Sequence, residues 1–468
     1  MSVYIIKETA DEDDGLEGRL AHPSGALGAV TDAAYRSAQR DTRWPALAGA
    51  IAGLAVATGN RWVVALGGQK TPLNLYVLLL APTGTGKEAA RGIARSLTTE
   101  TGSRSYDTIA SDVALHETLT SRPNLLLNID EFGRYLATMR EDKGSHQNRV
   151  ITMLMRLYGL ARSELSAHNY ANSKQNKPAV PKPFVNCLFT STAVRYLEAL
   201  EGADGEDGTL NRLLVIPGTM ADLKDFEDIV HEDLPEPLVK MCENLKRGPL
   251  SGEGLDLVGR VMREGFEATE EDRKALIARS GLITCDEVTT ARLKEIRSEA
   301  DQRMQGDEGM PFMWVRAFEQ TLRLAGIMSV ADAAMVGPLP ETVPLKHVQY
   351  ARDLIFGAIK WAEGAMGDTV ANLNEREKMQ QAILDACVRL DQKMPADVRR
   401  PGDGWVPGRM LADNLKGRGR RRRDVTDEME ALFEAGWLEV VDWSPEAGPQ
   451  QRSNKRRFYR RGGGPKGG

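Results

Sequence analysis

The run Ala81-Pro82-Thr83-Gly84-Thr85-Gly86-Lys87-Glu88 gathers residues suited to phosphate chemistry. Gly84 and Gly86 let successive backbone N–H groups curl around an anion. A helix opening at Lys87 aims its positive dipole end at the same point. The Lys87 ammonium then reaches the β- and γ-phosphates of a nucleotide, and Pro82, Thr83 and Thr85 complete the loop. Two positions depart from the usual pattern. Ala81 stands where the first glycine is usual, a sterically mild change. Glu88 stands where a Ser or Thr hydroxyl normally holds Mg²⁺. Its carboxylate is either an alternative metal ligand, direct or through water, or a brake on hydrolysis.

A second set of residues lies 43 positions after Lys87. Asn124–Glu131 (NLLLNIDE) reads as an apolar strand that delivers Asp130 and Glu131 to its C-terminal end. In that place Asp130 can hold Mg²⁺ and Glu131 can orient an attacking water. The expected cofactors are therefore ATP and Mg²⁺, with Asp130 and Glu88 as the candidate metal ligands.

These groups need a scaffold. Short apolar runs at Leu73–Ala81, Asn124–Ile129, Phe184–Phe189 and Leu213–Ile216 read as buried strands, with helical segments such as Lys87–Leu97 between them. Alternation of this kind predicts an α/β fold on a parallel sheet. Trp44–Thr58 reads as an apolar helix and Arg61–Leu66 as a further short strand. From about 250 to 365 the pattern is helical, with segments at 255–279, 286–305, 312–335 and 345–365. The last helix is expected to end near Gly364, before a polar hinge at 366–375. Beyond it, helices at Glu377–Leu390, 408–415 and Asp424–Glu434 precede strands at Trp437–Trp443 and Lys455–Arg460. Three helices followed by a β-hairpin form a winged-helix pattern.

Charge is distributed unevenly. The chain has 61 Lys/Arg and 66 Asp/Glu, a net of −5. Residues 399–468 hold 16 Lys/Arg and 10 Asp/Glu, so a basic tail follows an acidic body. That asymmetry points to a polyanion contact. Arg420, Arg421, Arg422 and Arg423 precede the last helix, and Arg456 and Arg457 lie on the second hairpin strand. Clustered guanidiniums there suit phosphate tracking. Lys174 and Lys177, with Lys182, form a second basic segment before the Phe184–Phe189 strand. The four cysteines lie at least 43 residues apart with no CxxC, against a zinc site or a disulfide framework. The longest apolar stretch, Ala46–Ala57, is too short for a bilayer, and the acidic N-terminus is unlike a targeting peptide. A cytoplasmic protein, bacterial or in a host, with no membrane contact is expected.

The two phosphate-site motifs, in this order, resemble the AAA+ ATPase core. Phe184–Thr192 (FVNCLFTST) resembles the strand ending in the sensor-1 residue, for which Thr190 and Thr192 are the candidates and Thr192 enters the expected site. Gly208-Thr-Leu-Asn-Arg212 resembles the stretch before the last core strand in phage and plasmid primase-helicases. There the arginine is a finger that reaches the neighbouring subunit's γ-phosphate. Trp314-Val-Arg316-Ala-Phe-Glu-Gln-Thr-Leu-Arg323 is similar to the sensor-2 helix of minichromosome-maintenance helicases, and Arg316 matches that position better than Arg323. In those families a hairpin near Lys174 and Lys177 grips DNA in a central pore. The resemblance spans roughly residues 41–365. It implies a hexameric ring that uses ATP to unwind or move along single-stranded or forked DNA, replicative and from a phage or mobile element. A DNA-stimulated loader or transposition helper, and an ATP-gated DNA-binding scaffold with weak hydrolysis, are the alternatives. The expected organisation is an acidic arm at 1–40, an ATPase core at 41–245, a helical lid at 246–365, a winged-helix domain at 366–461 and a tail at 462–468.

Overall fold

A computed structural model describes residues 14–141, 148–168, 176–199, 210–230, 233–248, 281–306, 311–337, 340–394, 400–415, 425–426, 429–430, 432–433, 437–443 and 456–462. The chain divides into two units, Met1–Gly364 and Ala365–Gly468.

The first unit is built on a five-stranded sheet. In spatial order its strands are Arg104–Tyr106, Asn124–Ile129, Phe184–Ser191, Tyr76–Leu80 and Leu213–Pro217. All four pairings are parallel. The three middle strands are buried almost without interruption, as expected when helices cover both faces. The strand that precedes the Gly-rich loop is thus separated from the strand that precedes the acids by one intervening strand, Phe184–Ser191. All three end on the same edge.

One helix, Trp44–Thr58, has no polar face: every residue from Pro45 to Thr58 is buried. Such a helix belongs inside a layered fold. A second sheet joins Trp62–Leu66 to Gln69–Pro72 antiparallel and to Gly281–Ile283 parallel. Glu164–Leu165 pairs antiparallel with Val180–Pro181, and His168 exchanges both backbone hydrogen bonds with Lys177. The described residues on either side, 164–168 and 177–181, therefore pair as the two arms of a β-hairpin, and Lys174 lies outside the described residues.

Several expectations change. The acidic arm assigned to residues 1–40 contains a core helix, Gly25–Ser37, with Ala26, Leu27, Val30 and Ala34 buried. The acidic run stops at Glu17, and the apolar residues beyond it recur at helical spacing. The helix expected over 312–335 is interrupted: Pro311–Trp314 is a one-turn helix and Ala317–Val336 a separate one, with Arg316 as its N-cap. The hinge expected at 366–375 is absent, because one helix runs from Leu345 to Gln392. Glycines at 357, 364 and 367 cost a helix about 1 kcal/mol each, and no proline breaks it. The helix expected at 255–279 lies outside the described residues.

The second unit has a small apolar core. Ile383, Cys387, Leu411, Val425, Met429 and Tyr459 contribute to it. A three-stranded antiparallel sheet places Arg456–Arg461 between Val406–Pro407 and Leu438–Trp443. Gly408–Leu415 is helical, as are the described residues within 425–433. Among the described residues, no helix is long and apolar enough to cross a membrane.

Candidate functional site

The loop after Leu80 has the conformation its glycines foretell. Gly84 and Gly86 sit at φ 82 and 85, and Gly86 is the N-cap of the Lys87–Glu100 helix. The Thr85 side chain is buried and donates to Pro82 O at 2.8 Å, tightening the turn. The loop borders a cleft of about 750 Å³ that also takes in Lys87, Glu88, Asp130 and Glu131. Ala33, Ala34 and Ser37 of the Gly25–Ser37 helix line it, as do Val230 and Leu234. Lys87 and the acid pair thus share one cavity, although 43 residues separate them in the chain. That volume is typical of a small-molecule site.

Asp130 is held on several sides. Its Oδ1 accepts from Glu131 N at 2.8 Å and from the Thr190 hydroxyl at 2.5 Å. Thr190 is the buried penultimate residue of the intervening strand, so it reaches across to the acids. Thr192 does something else: its hydroxyl accepts from Arg195 N at 3.4 Å, at the start of the next helix. The polar contact with the acid pair therefore belongs to Thr190, not to Thr192. Glu131 is exposed to the cleft and has φ 51.

Two arginines near this site carry no motif signature. Arg40 Nε donates to Gly84 O and its Nη1 to Ala221 O, both at 2.9 Å, which ties the loop to the segment beyond Pro217. Nothing in the sequence around Arg40 announces this contact. Arg91 lies 3.7 Å from Glu88 and 3.6 Å from Asp130. Its spacing of three from Glu88 on one helix is a legible sign of pairing.

Arg212 and Arg316 occupy the opposite edge of the sheet. Arg212 precedes the Leu213–Pro217 strand, and Leu213 is in register with Tyr76 at the start of the strand that leads to the Gly-rich loop. Five residues of strand, about 17 Å, separate that edge from the loop. Gln320 Nε2 donates to Asn211 O at 3.1 Å, which brings the start of the Ala317–Val336 helix beside Arg212. Arg316 pairs with Glu319 at 2.5 Å. Burial, and then the Arg316 charge, lower the Arg212 guanidinium from its ordinary value. Burial would raise Glu319, but Arg323 and Arg316 hold its carboxyl below the usual range. Arg323 is a core residue, 1% exposed, bonded to Asn74 and Glu319 and lying over the Tyr158 ring at 4.1 Å. Both guanidiniums thus meet the same carboxylate, Arg316 from the N-cap and Arg323 from inside the core.

The basic residues divide. Lys177 pairs with Glu117 at 2.9 Å. Lys182 is buried, and burial followed by the Arg162 charge brings its ammonium down to about 8, so it offers no surface contact. Arg457 meets Glu430 at 3.1 Å and Asp442 at 3.4 Å, and Arg460 pairs with Glu439. Arg456 lies on the same strand. Arg420, Arg421, Arg422 and Arg423, like Lys174, lie outside the described residues.

The chemistry of the donor set fits a magnesium–nucleotide complex. Mg²⁺ takes hard oxygen ligands and is usually held by one or two carboxylates together with phosphates. Asp130 Oδ2 faces the cation Arg91, and Glu88 lies beside the same cation. No family model matches this chain, and no curated protein matches it either.

Proposed function

We propose that the protein is an AAA+-type ATPase that works as a ring-shaped, hexameric helicase or translocase on single-stranded or forked DNA, with a winged-helix domain at its C-terminal end. In this reading the loop amides and Lys87 bind the triphosphate, and Asp130 holds Mg²⁺. When bound, the metal would supply charge neutralisation for the phosphates. Glu131 orients water, and Thr190 fixes the Asp130 carboxylate from the intervening strand.

The observation that carries the reading is the separation of the two halves of the site. The loop and the acids lie on one edge of the sheet, and Arg212 with Arg316 on the other. About 17 Å of strand is more than an arginine spans, so neither guanidinium serves its own chain's phosphates. A finger of this kind stabilises transition-state charge on a neighbour's nucleotide. Repeating such a head-to-tail contact generates a ring when the rotation closes. The hairpin at 164–181 agrees with a pore element, and the sheet and helices of Ala365–Gly468 agree with a winged helix.

Negative-stain microscopy with nucleotide and single-stranded DNA tests the assembly, and unwinding of a forked duplex tests the activity. A six-fold ring that separates the fork with ATP is the expected result. A steady monomer that hydrolyses no ATP would overturn the reading.

A further inference from the structure

The departure at Glu88 has a counterpart one helical turn away. Arg91 is 14% exposed, and its Nη1 lies 3.7 Å from Glu88 Oε1 and 3.6 Å from Asp130 Oδ2. One nitrogen therefore stands between two carboxylates, at distances longer than a tight ion pair with either. The other terminal nitrogen has partners of its own. Nη2 faces Asp107 Oδ1 and donates to Asn128 O, both at 3.4 Å. The fully buried Asn128 answers through its own Nδ2, which donates to Arg91 O at 3.1 Å. Asp107 is already held by Arg95 at 3.0 and 3.2 Å. What remains undecided for Nη1 is the balance between Glu88 and Asp130.

That balance bears on metal binding. A cation within 4 Å of Asp130 opposes a second cation at the same carboxylate. Glu88 draws the guanidinium the other way. The Glu88 side chain is itself 82% exposed. We propose that Glu88 acts as a counter-charge that keeps Arg91 off Asp130, leaving the Asp130 carboxylate available to a divalent metal. Glu88 and Arg91 are positioning residues, and the pair explains why a carboxylate stands where a hydroxyl is usual. This inference rests on the reading of the cleft as a metal–nucleotide site.

The pairing makes a prediction that single substitutions alone do not. Glu88→Thr restores the usual hydroxyl but releases Arg91 onto Asp130, so metal binding weakens. Adding Arg91→Gln removes the competing charge and restores it. The test uses the full chain with a non-hydrolysable ATP analogue and follows Mn²⁺ binding by electron paramagnetic resonance. A fluorescent analogue measures nucleotide binding in parallel, and circular dichroism verifies the fold of each variant. Glu88→Thr is expected to weaken Mn²⁺ about tenfold. Glu88→Thr with Arg91→Gln is expected to return within about twofold of the parent, a non-additive result. Glu88→Thr with Arg91→Lys keeps the charge and should stay weak. Mn²⁺ binding by Glu88→Thr as tight as the parent's overturns the proposal. A double variant as weak as Glu88→Thr also overturns it, since Glu88 is then a direct ligand. A parent that binds the analogue poorly and takes no Mn²⁺ removes the cleft reading itself, a different failure.

Discussion

Glu131 sits at φ 51, a left-handed backbone that costs a residue with a Cβ about 1–2 kcal/mol. The turn is fixed by Asp130, whose Oδ1 accepts the Glu131 N–H. Backbone strain of this kind clusters at functional positions, and here it lies at the mouth of the cleft. Glu131→Gln keeps the shape and removes the carboxylate. Nucleotide binding should survive, while turnover falls about 10²- to 10³-fold. Glu131→Gly should be as inactive yet more stable by up to about 1 kcal/mol in chemical denaturation, since the strain is relieved. A Glu131→Gln protein that turns over ATP at the parent rate would remove Glu131 from the mechanism. The loop and the acid pair were legible in sequence because strand, loop and helix stand in a fixed grammar around them. Thr190 was not separable from Thr192 by that grammar. The two lie on the same face of an extended chain, and only the end of the strand at Ser191 decides which one stays in the sheet. Arg40 was illegible for a different reason. Its partner Gly84 is 44 residues away and the contact is to a backbone oxygen, so no side-chain pattern encodes it.

At the scale of elements, one helix is capped by another. Ser24 makes no side-chain cap for the Gly25–Ser37 helix, which lines the cleft. Asp332, from the Ala317–Val336 helix, takes that role: its Oδ1 accepts from Ala26 N at 2.7 Å. Its Oδ2 meets His347 Nε2 at 3.0 Å, and His347 Nδ1 meets the Ser329 hydroxyl at 3.0 Å. Burial would raise the Asp332 carboxyl, but His347 and the Ala26 N–H hold it below its ordinary value. A depressed carboxylate contributes stability that is present above its unfolded value and lost as pH falls through the folded one. Asp332→Asn should therefore cost about 1–2 kcal/mol at neutral pH, and the gap to the parent should close as pH drops below about 4. Urea denaturation at several pH values measures this; a gap that persists in acid would mean packing, not charge, holds the contact. Gly25 meets the same carboxylate. It sits at φ 70, and a Cβ there would lie 2.2 Å from Asp332 Oδ1, so Gly25→Ala should cost about 1–3 kcal/mol in the same assay. Elements marked by an unbroken apolar run were legible: Trp44–Thr58 and Asn124–Ile129 coincide with the sequence reading. The continuous Leu345–Gln392 helix was not, because glycines and polar residues look like a hinge when no proline decides the matter.

For the whole molecule, the two edges of the sheet and the two units make separable predictions. Arg212→Ala should leave ATP binding nearly intact and abolish hydrolysis. Mixing it with Lys87→Ala subunits should restore part of the turnover at mixed interfaces, and full activity of the pure variant would assign Arg212 to a local ion pair. The basic tail is tested by ending the chain after Gly364, where the first unit ends. Every group named for nucleotide chemistry lies before that point, so turnover without DNA should persist. DNA affinity should fall, most at low salt, because binding to phosphates acts by releasing counterions. The slope of log affinity against log salt should flatten by about 0.9 for each duplex phosphate that the tail no longer neutralises. Ion pairing tempers the size of that change. Arg457 and Arg460 are engaged by Glu430, Asp442 and Glu439, and an arginine that must leave a carboxylate to reach a phosphate gains less. Replacing Arg420, Arg421, Arg422 and Arg423 by glutamine in the full chain separates the share of that run from the share of the Arg456–Arg461 strand. An unchanged slope after truncation would move the DNA-binding surface to the 164–181 hairpin, where Lys177→Gln should then weaken binding.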